Sequence, residues 1–365
     1  MNANIDERFQ VSPFLVFFLI AGSQIGIGIT KFQKDIAEGA GYDAWVAVIL
    51  SGISIQIILW MIYRMLKMMN NEVFYINQFC FGKWLGGAVN VIVIAYVLLQ
   101  AVLILRSYIE VVQVWMFPLI KTWQISTIFL VLLYYIVTGG FRVIVGICFW
   151  CLSLPFLFLF PLVFFPLEFA QLNNLLPLFN HSFIEMVRSS KSMLFQFLGF
   201  EYLLLYYPFI KNGGKSQKWA HFGVLFSTCL YLIITIITFL FYSEPHLKHH
   251  IWPTLSMLKI VELPFIERFE YIVVSLCCLT VLPNISISLW AACRSLKKLA
   301  KIKQRVSLII ILILMFAACQ LLKDHNAIQQ SQKLFSYFAL YFIYLYIPII
   351  FGITIVRKKF SKSMP

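Results

Sequence analysis

Long apolar runs dominate this chain, and they leave few folds open to it. A helix needs about 20 predominantly apolar residues to cross the hydrocarbon layer of a bilayer. Ten stretches meet or approach that length: 13–30, 43–63, 85–117, 123–138, 141–165, 192–210, 219–242, 269–293, 306–322 and 335–357. Inside a bilayer every backbone amide and carbonyl must find its partner within the protein, so such runs read as helices rather than open strands. The expectation is an all-α polytopic membrane protein with ten transmembrane helices. With 61% hydrophobic and only 12% charged residues, the connections leave no room for a soluble domain. Residues 1–365 therefore read as a single membrane domain.

Charge placement bears on partners and orientation. The net charge of +14 is carried by residues at the ends of apolar runs rather than on one amphipathic face, which argues for membrane topology and against nucleic acid. Ten crossings put both termini on one side. With the N-terminus inside, the inner segments hold nearly twice as many Lys and Arg as the outer ones, so both termini are expected in the cytoplasm. The first apolar run has no convincing cleavage site after it and reads as a retained helix. The third run is too long for one perpendicular crossing and implies a long, tilted helix; Arg106 and Glu110 within it have the spacing of a pair on one helix face. Two outer loops are long, 166–191 and 243–268. The second carries Pro245, Pro253 and Pro264 and reads as a packed cap. Its His246, His249 and His250 lack the neighbouring carboxylate or thiol spacing of a metal site, and Cys148-x-x-Cys151 has no second ligand pair. Seven of the eight cysteines fall within apolar segments and imply no disulfide framework. No metal or cofactor is expected.

The informative residues are those that interrupt helices. The first segment contains A-G-S-Q-I-G-I-G, Ala21 to Gly28, where a plain anchor would carry leucine. Gly costs a helix interior roughly 1 kcal/mol relative to Ala, and irregular backbone at membrane depth survives only where it is buried in protein or lines a cavity. Five segments later, in the inverted orientation, the sixth reads F-Q-F-L-G-F-E-Y-L-L-L-Y-Y-P, with Gly199 and Glu201 near its centre and Pro208 near its end. A matched pair of broken segments marks the substrate site of an inverted-repeat transporter fold; the halves would be about 13–165 and 192–357. Half-helix N-termini favour a carboxylate and free carbonyls favour an ammonium group, and an amino acid carries both.

The candidate substrate-binding residues are Ser23, Gln24, Gly26, Gly28, Gln100, Phe197, Gly199, Glu201 and Asn284. Competing readings stand beside them. Glu201 is a carboxylate at bilayer depth, suited to ammonium recognition or proton binding, or else to pairing between helices. Gly22-x-x-x-Gly26 is also a close-packing spacing, and Gln100 and Asn284 serve equally as cavity liners or as interhelical hydrogen-bonding groups.

These residues, with I-W-P-T-L-S-M-L-K-I-V-E-L-P-F-I-E-R-F-E at Ile251 to Glu270, resemble the B subunits of spore nutrient germinant receptors. That is the endospore spore-permease family within the amino acid/polyamine/organocation superfamily. The matching elements are Gly26-x-Gly28, Phe197 to Glu201 followed by Pro208, and the Ile251 motif. The resemblance implies a LeuT-like 5+5 inverted repeat with broken helices 1 and 6, residence in the spore inner membrane, and action with separate A and C subunits. It also implies a small nutrient, amino acid-like, bound between helices one, three, six and eight. Gln33 stands where the family often has proline, and Cys277 where it often has tryptophan. Two functions follow: a nutrient-sensing subunit that signals germination, or a proton-coupled amino acid transporter. Proton-coupled relatives are expected to carry a lysine in helix five, and 143–165 has none. An enzyme is not expected, since no nucleophile, base or metal cluster appears.

Overall fold

The computed structural model describes residues 5–261, 268–300 and 302–362. The helices are α1 (Val16–Gln24), α2 (Phe32–Ala40), α3 (Trp45–Met69), α4 (Val73–Trp115), α5 (Thr122–Thr138), α6 (Phe141–Leu159), α7 (Phe183–Leu194), α8 (Leu203–Tyr206), α9 (Gln217–Phe241), α10 (Glu244–His249), α11 (Pro253–Leu258), α12 (Phe269–Ala300), α13 (Gln304–Leu321), α14 (His325–Tyr341) and α15 (Ile347–Lys362). Among the described residues the one β pairing is an isolated parallel bridge between Val11 and Ile210. The protein is an all-helical integral membrane protein. Among the described residues, seven helical stretches are long and apolar enough to cross a bilayer: Phe32–Met69, Val73–Trp115, Phe141–Phe169, Gly213–Phe241, Phe269–Leu299, Gln304–Leu321 and His325–Lys359. Pro13–Gln24 and Thr122–Thr138 are shorter apolar helices. Each of the ten expected segments falls on helical structure, and the sixth is the most fragmented.

Several details depart from the sequence reading. The link after segment one is itself a helix, α2. The long loop 166–191 contains most of α7, started by Ser182, whose hydroxyl and amide engage the Glu185 side chain in a capping box. The buried face of α7, with Met186 and Met193, packs against α2 and α3. The long third helix is bent at Gly82, which takes φ 81°, a conformation that only glycine adopts at little cost. Asn77 Nδ2 then donates to Asn90 Oδ1 at 2.8 Å, tying the short arm back against the long one. Arg106 and Glu110 do not pair. Arg106 donates to the carbonyls of Leu322 and Lys323 at 2.6 and 3.0 Å, while Glu110 meets His325 Nδ1 at 2.7 Å. Spacing put them on one face, and the link from α13 to the first residue of α14 offered each another partner. Residues 262–267, which include Pro264 of the cap and the middle of the Ile251 motif, and Lys301 of the basic loop lie outside the described residues.

Contacts between connections sort into two ends. At one, Arg142 reaches the carbonyls of Glu7 and Gln10, Lys211 N donates to Val11 O, Glu72 pairs with Arg294 and Lys298, Lys67 bonds Gln217 and Lys358 bonds the Met68 carbonyl. At the other, Lys31 bonds Gln332, Gln33 bonds Thr254, Tyr42 bonds the Tyr242 carbonyl and Glu110 bonds His325. The start of segment one and the end of segment six therefore share an end, and the two segments run antiparallel.

Candidate functional site

The two breaks meet at the centre of the bundle. α1 stops at Gln24, and Ile25 (φ −86°, ψ 104°) and Gly26 (φ −137°, ψ −161°) run extended before one 3-10 turn at Ile27–Thr30. Segment six leaves helical geometry at Leu198, and Gly199 takes φ 117°. A Cβ on Gly199 would lie 2.5 Å from the Ser23 carbonyl oxygen, so the residue is glycine for two reasons, its torsion and the neighbour it touches.

A helix break frees carbonyls that a bilayer cannot hydrate, and here side chains from other elements supply the donors. Asn284 Nδ2 on α12 donates to the Ser23 carbonyl. The Tyr231 hydroxyl on α9 donates to the Gln24 carbonyl at 2.8 Å. Gln24 Nε2 donates to the Phe197 carbonyl at 3.1 Å. Tyr202, just after Gly199, donates to Asn284 Oδ1 at 3.2 Å and accepts from Ser288 at 2.7 Å. Asn284 and Gln24 thus lock the two broken segments to each other.

Beside the breaks lies a cavity of about 40 Å3. Of the residues singled out from sequence, Gln24, Gly26, Gly28, Gln100 and Asn284 line it. Ser23, Phe197, Gly199 and Glu201 stand behind this wall. The Ser23 hydroxyl donates to the Ile20 carbonyl, and the Phe197 ring sits edge-on to Tyr231. Glu201, 3% exposed, accepts from the Tyr96 hydroxyl at 2.8 Å and from the Gly199 amide at 2.7 Å. Tyr96 is in turn stacked against Phe342 at the π-helical stretch Phe342–Tyr346 that joins α14 to α15. Gly28 is needed for the approach of Gln196, whose carboxamide would collide with a Cβ there, whereas a Cβ on Gly26 would meet nothing within 4 Å.

Two of the lining residues carry unsatisfied acceptors. Gln24 Oε1 and Gln100 Oε1 are buried and have no hydrogen-bond partner among the described residues. A buried orphan acceptor costs about 1–3 kcal/mol, so these two sites are arranged for a donor. Lys31, which falls between the first two apolar runs, lines the same cavity. Its Nζ donates to Gln332 Oε1 at 2.5 Å, and Gln332 Nε2 donates to Ser107 Oγ at 2.6 Å. Lys31 and Gln332 also line a wider vestibule of about 370 Å3 on the far side of that bond. Acceptors and an ammonium on residues lining one cavity can hold a small molecule with a donor group and an anionic group. Gln33 is buried and donates to Thr254 Oγ1 at 2.6 Å, joining α2 to α11 over this end. Lys31, Gln196, Ser107 and Gln332 were missed from sequence because each stands at the edge of an apolar run or reads as helix-helix polar contact. Cys148 and Cys151 are buried and free.

Residues 10–328 match the spore germination protein family. The chain belongs to that family. It is 43% identical to spore germination protein GerQB of Bacillus cereus, over 98% of this chain and 99% of that one. It is 24% identical to spore germination protein A2 of Bacillus subtilis (strain 168) over 97% and 98%, and 25% identical to spore germination protein B2 of the same organism over 69% of each. The spore germination match spans both breaks, the cap and the start of α14, so every cavity-lining residue named above except Gln332 lies within it.

Proposed function

We propose that this chain is the membrane subunit of a spore germinant receptor that binds a small, amino acid-like nutrient at mid-membrane and signals germination. The observation that carries this is the pair of buried acceptors without a partner among the described residues, Gln24 Oε1 and Gln100 Oε1, on residues that line one cavity together with Lys31 beside the two breaks. The nutrient's ammonium would meet the two glutamines and its carboxylate would displace Gln332 from Lys31. Gly26, Gly28 and Asn284 would complete the contact surface, and Ser23, Phe197, Gly199 and Glu201 would shape the breaks behind it. A cavity of about 40 Å3 has room for roughly three waters, so a nutrient must open the Lys31–Gln332 bond to enter from the vestibule. Ligand binding then favours one arrangement of the outer end over another, which is all that a sensor requires.

The reading includes ten crossings in a LeuT-like 5+5 arrangement with repeats at 13–165 and 192–357. Supporting it are the antiparallel run of the two broken segments and the sorting of connections into two ends. Both termini would then be cytoplasmic in the spore inner membrane, and the signal would pass to separate A and C subunits. A proton-coupled amino acid transporter is the second reading, favoured by one observation: Glu201 is a buried carboxylate on a hydroxyl partner just behind the cavity.

Reconstitution of the purified chain in vesicles, with labelled amino acids and with or without a proton gradient, separates the two. Saturable binding without accumulation is the expected result. Gradient-driven accumulation would replace the sensor with the transporter, and absence of both binding and uptake, with and without added A and C subunits, would remove the nutrient site.

A further inference from the structure

At the end of the bundle that carries the N-terminus is a second cavity, of about 990 Å3, separate from the nutrient site. Its floor is aromatic: the Trp290 ring lies 4.6 Å from Phe141 and 4.9 Å from Phe209, centroid to centroid. Five cations line it, Arg8, Arg142, Arg294, Lys303 and Arg305, against one carboxylate, Asp6. Asp6 is already paired with Arg8 at 2.9 Å. Arg142 donates to the backbone carbonyls of Glu7 and Gln10, which leave its charge uncompensated. Arg294 lies over the Phe209 ring at 4.2 Å and reaches Glu72 at 3.5 Å with one nitrogen, while its Nε is buried without an acceptor among the described residues. Lys303 and Arg305 have no ion pair among the described residues. The first turns of α6 and α13 also border this space, and their dipoles favour an anion.

The cavity does not end in water on all sides. α5 borders it at Val137 and Thr138, and α13 borders it as far as Leu308. The outward faces of these packed helices are apolar and exposed, with Ile128 and Val131 at 65% and Ile313 at 63%. A topological excess of positive charge would be served by scattered lysines. Here the cations converge on a concave aromatic floor at the foot of an apolar wall.

We propose that this cavity binds the phosphate-bearing headgroup of an anionic phospholipid, with its acyl chains against α5 and α13. The cations supply the phosphate contacts, and basic pockets between helix ends are suited to such headgroups. The apolar wall is what favours a lipid over a soluble anion or an acidic peptide, neither of which would use it.

The test is native mass spectrometry of the full-length protein in neutral detergent, titrated with phosphatidylglycerol or phosphatidylcholine. Phosphatidylglycerol should bind saturably and more than about tenfold more tightly than phosphatidylcholine. Lys303→Gln with Arg305→Gln should weaken phosphatidylglycerol about thirtyfold, and Arg305→Gln alone about fivefold. Both side chains are exposed, so thermal unfolding in phosphatidylcholine micelles should stay unchanged; should the double variant fail to fold, the single one decides. Lys83→Gln with Lys359→Gln removes equal charge from the same end outside the cavity and should leave binding unchanged. Equal binding of the two lipids, or equal loss in the control pair, overturns the proposal in favour of diffuse attraction. Full displacement by millimolar inorganic phosphate overturns it in favour of a soluble anion, and displacement by hexaglutamate with no preference between lipids in favour of a protein partner.

Discussion

Single residues decide what the central cavity can hold. Gln100 makes no side-chain hydrogen bond among the described residues, and its Oε1 is buried without a partner. Replacing it by leucine removes a polar group that folding leaves unsatisfied. Gln100→Leu should therefore match or exceed the parent in thermal stability, by up to about 1 kcal/mol, while losing nutrient affinity by at least about tenfold. Retained affinity in a vesicle binding assay would take Gln100 out of the site. Glu201 obeys a different logic, because both of its oxygens are used within the protein. Glu201→Gln can keep one acceptor, whereas Glu201→Leu orphans the Tyr96 hydroxyl and the Gly199 amide at about 1–3 kcal/mol each. The leucine variant should be poorly recovered from membranes and the glutamine variant should be recovered normally but without a nutrient response. A normal response in Glu201→Gln would leave Glu201 as a purely structural clamp. The carboxylate was legible in the sequence because charge at bilayer depth is costly; its partner Tyr96 was not, because an aromatic in an apolar run looks like any other.

At the scale of elements, two glycines in the breaks make opposite predictions. Gly26 has backbone torsions open to any residue and empty space where a side chain would go. Gly26→Leu should therefore fold and fill the cavity, abolishing binding without loss of protein. Gly199 has φ 117° and the Ser23 backbone against it, so even Gly199→Ala should destabilise by about 1–3 kcal/mol, seen as a lowered unfolding temperature. If the two variants behaved alike, the two breaks would not be distinct devices. Both breaks were legible, since glycine and polar residues clustered within an apolar run weaken the helix that the run would otherwise form. Their locking was not. Asn284 reads from sequence as cavity liner or interhelical bond, and it is both, lining the cavity while holding the Ser23 carbonyl. The Arg106–Glu110 expectation failed for a related reason: helical spacing says which residues share a face and nothing about which helix end arrives opposite them.

For the whole molecule the question is whether the two ends of the bundle are two sides of a membrane. Of the ten segments marked by hydropathy, seven lie on helical stretches long and apolar enough to cross among the described residues, and the other three stay ambiguous: α1 and α5 are short for a crossing, and segment six is broken into pieces too short to be recognised as one. The loop contacts give a physical criterion that length does not. Lys211 and Val11 are bonded, so the chain after segment six returns to the end where it began. Glu72 with Lys298 and Lys358 with Met68 carry the same parity through the remaining helices. If each traverse is a crossing, Lys83 and Lys215 lie on the side of the termini, and Lys121 and Lys333 lie opposite. In a Cys229→Ser background, a membrane-impermeant maleimide added to intact cells should label Lys121→Cys and Lys333→Cys and spare Lys83→Cys and Lys215→Cys until the cells are opened. Labelling of Lys83→Cys in intact cells would invert the orientation. Labelling of one member of each pair would break the parity, and with it the antiparallel relation on which the proposed site between the two broken segments depends.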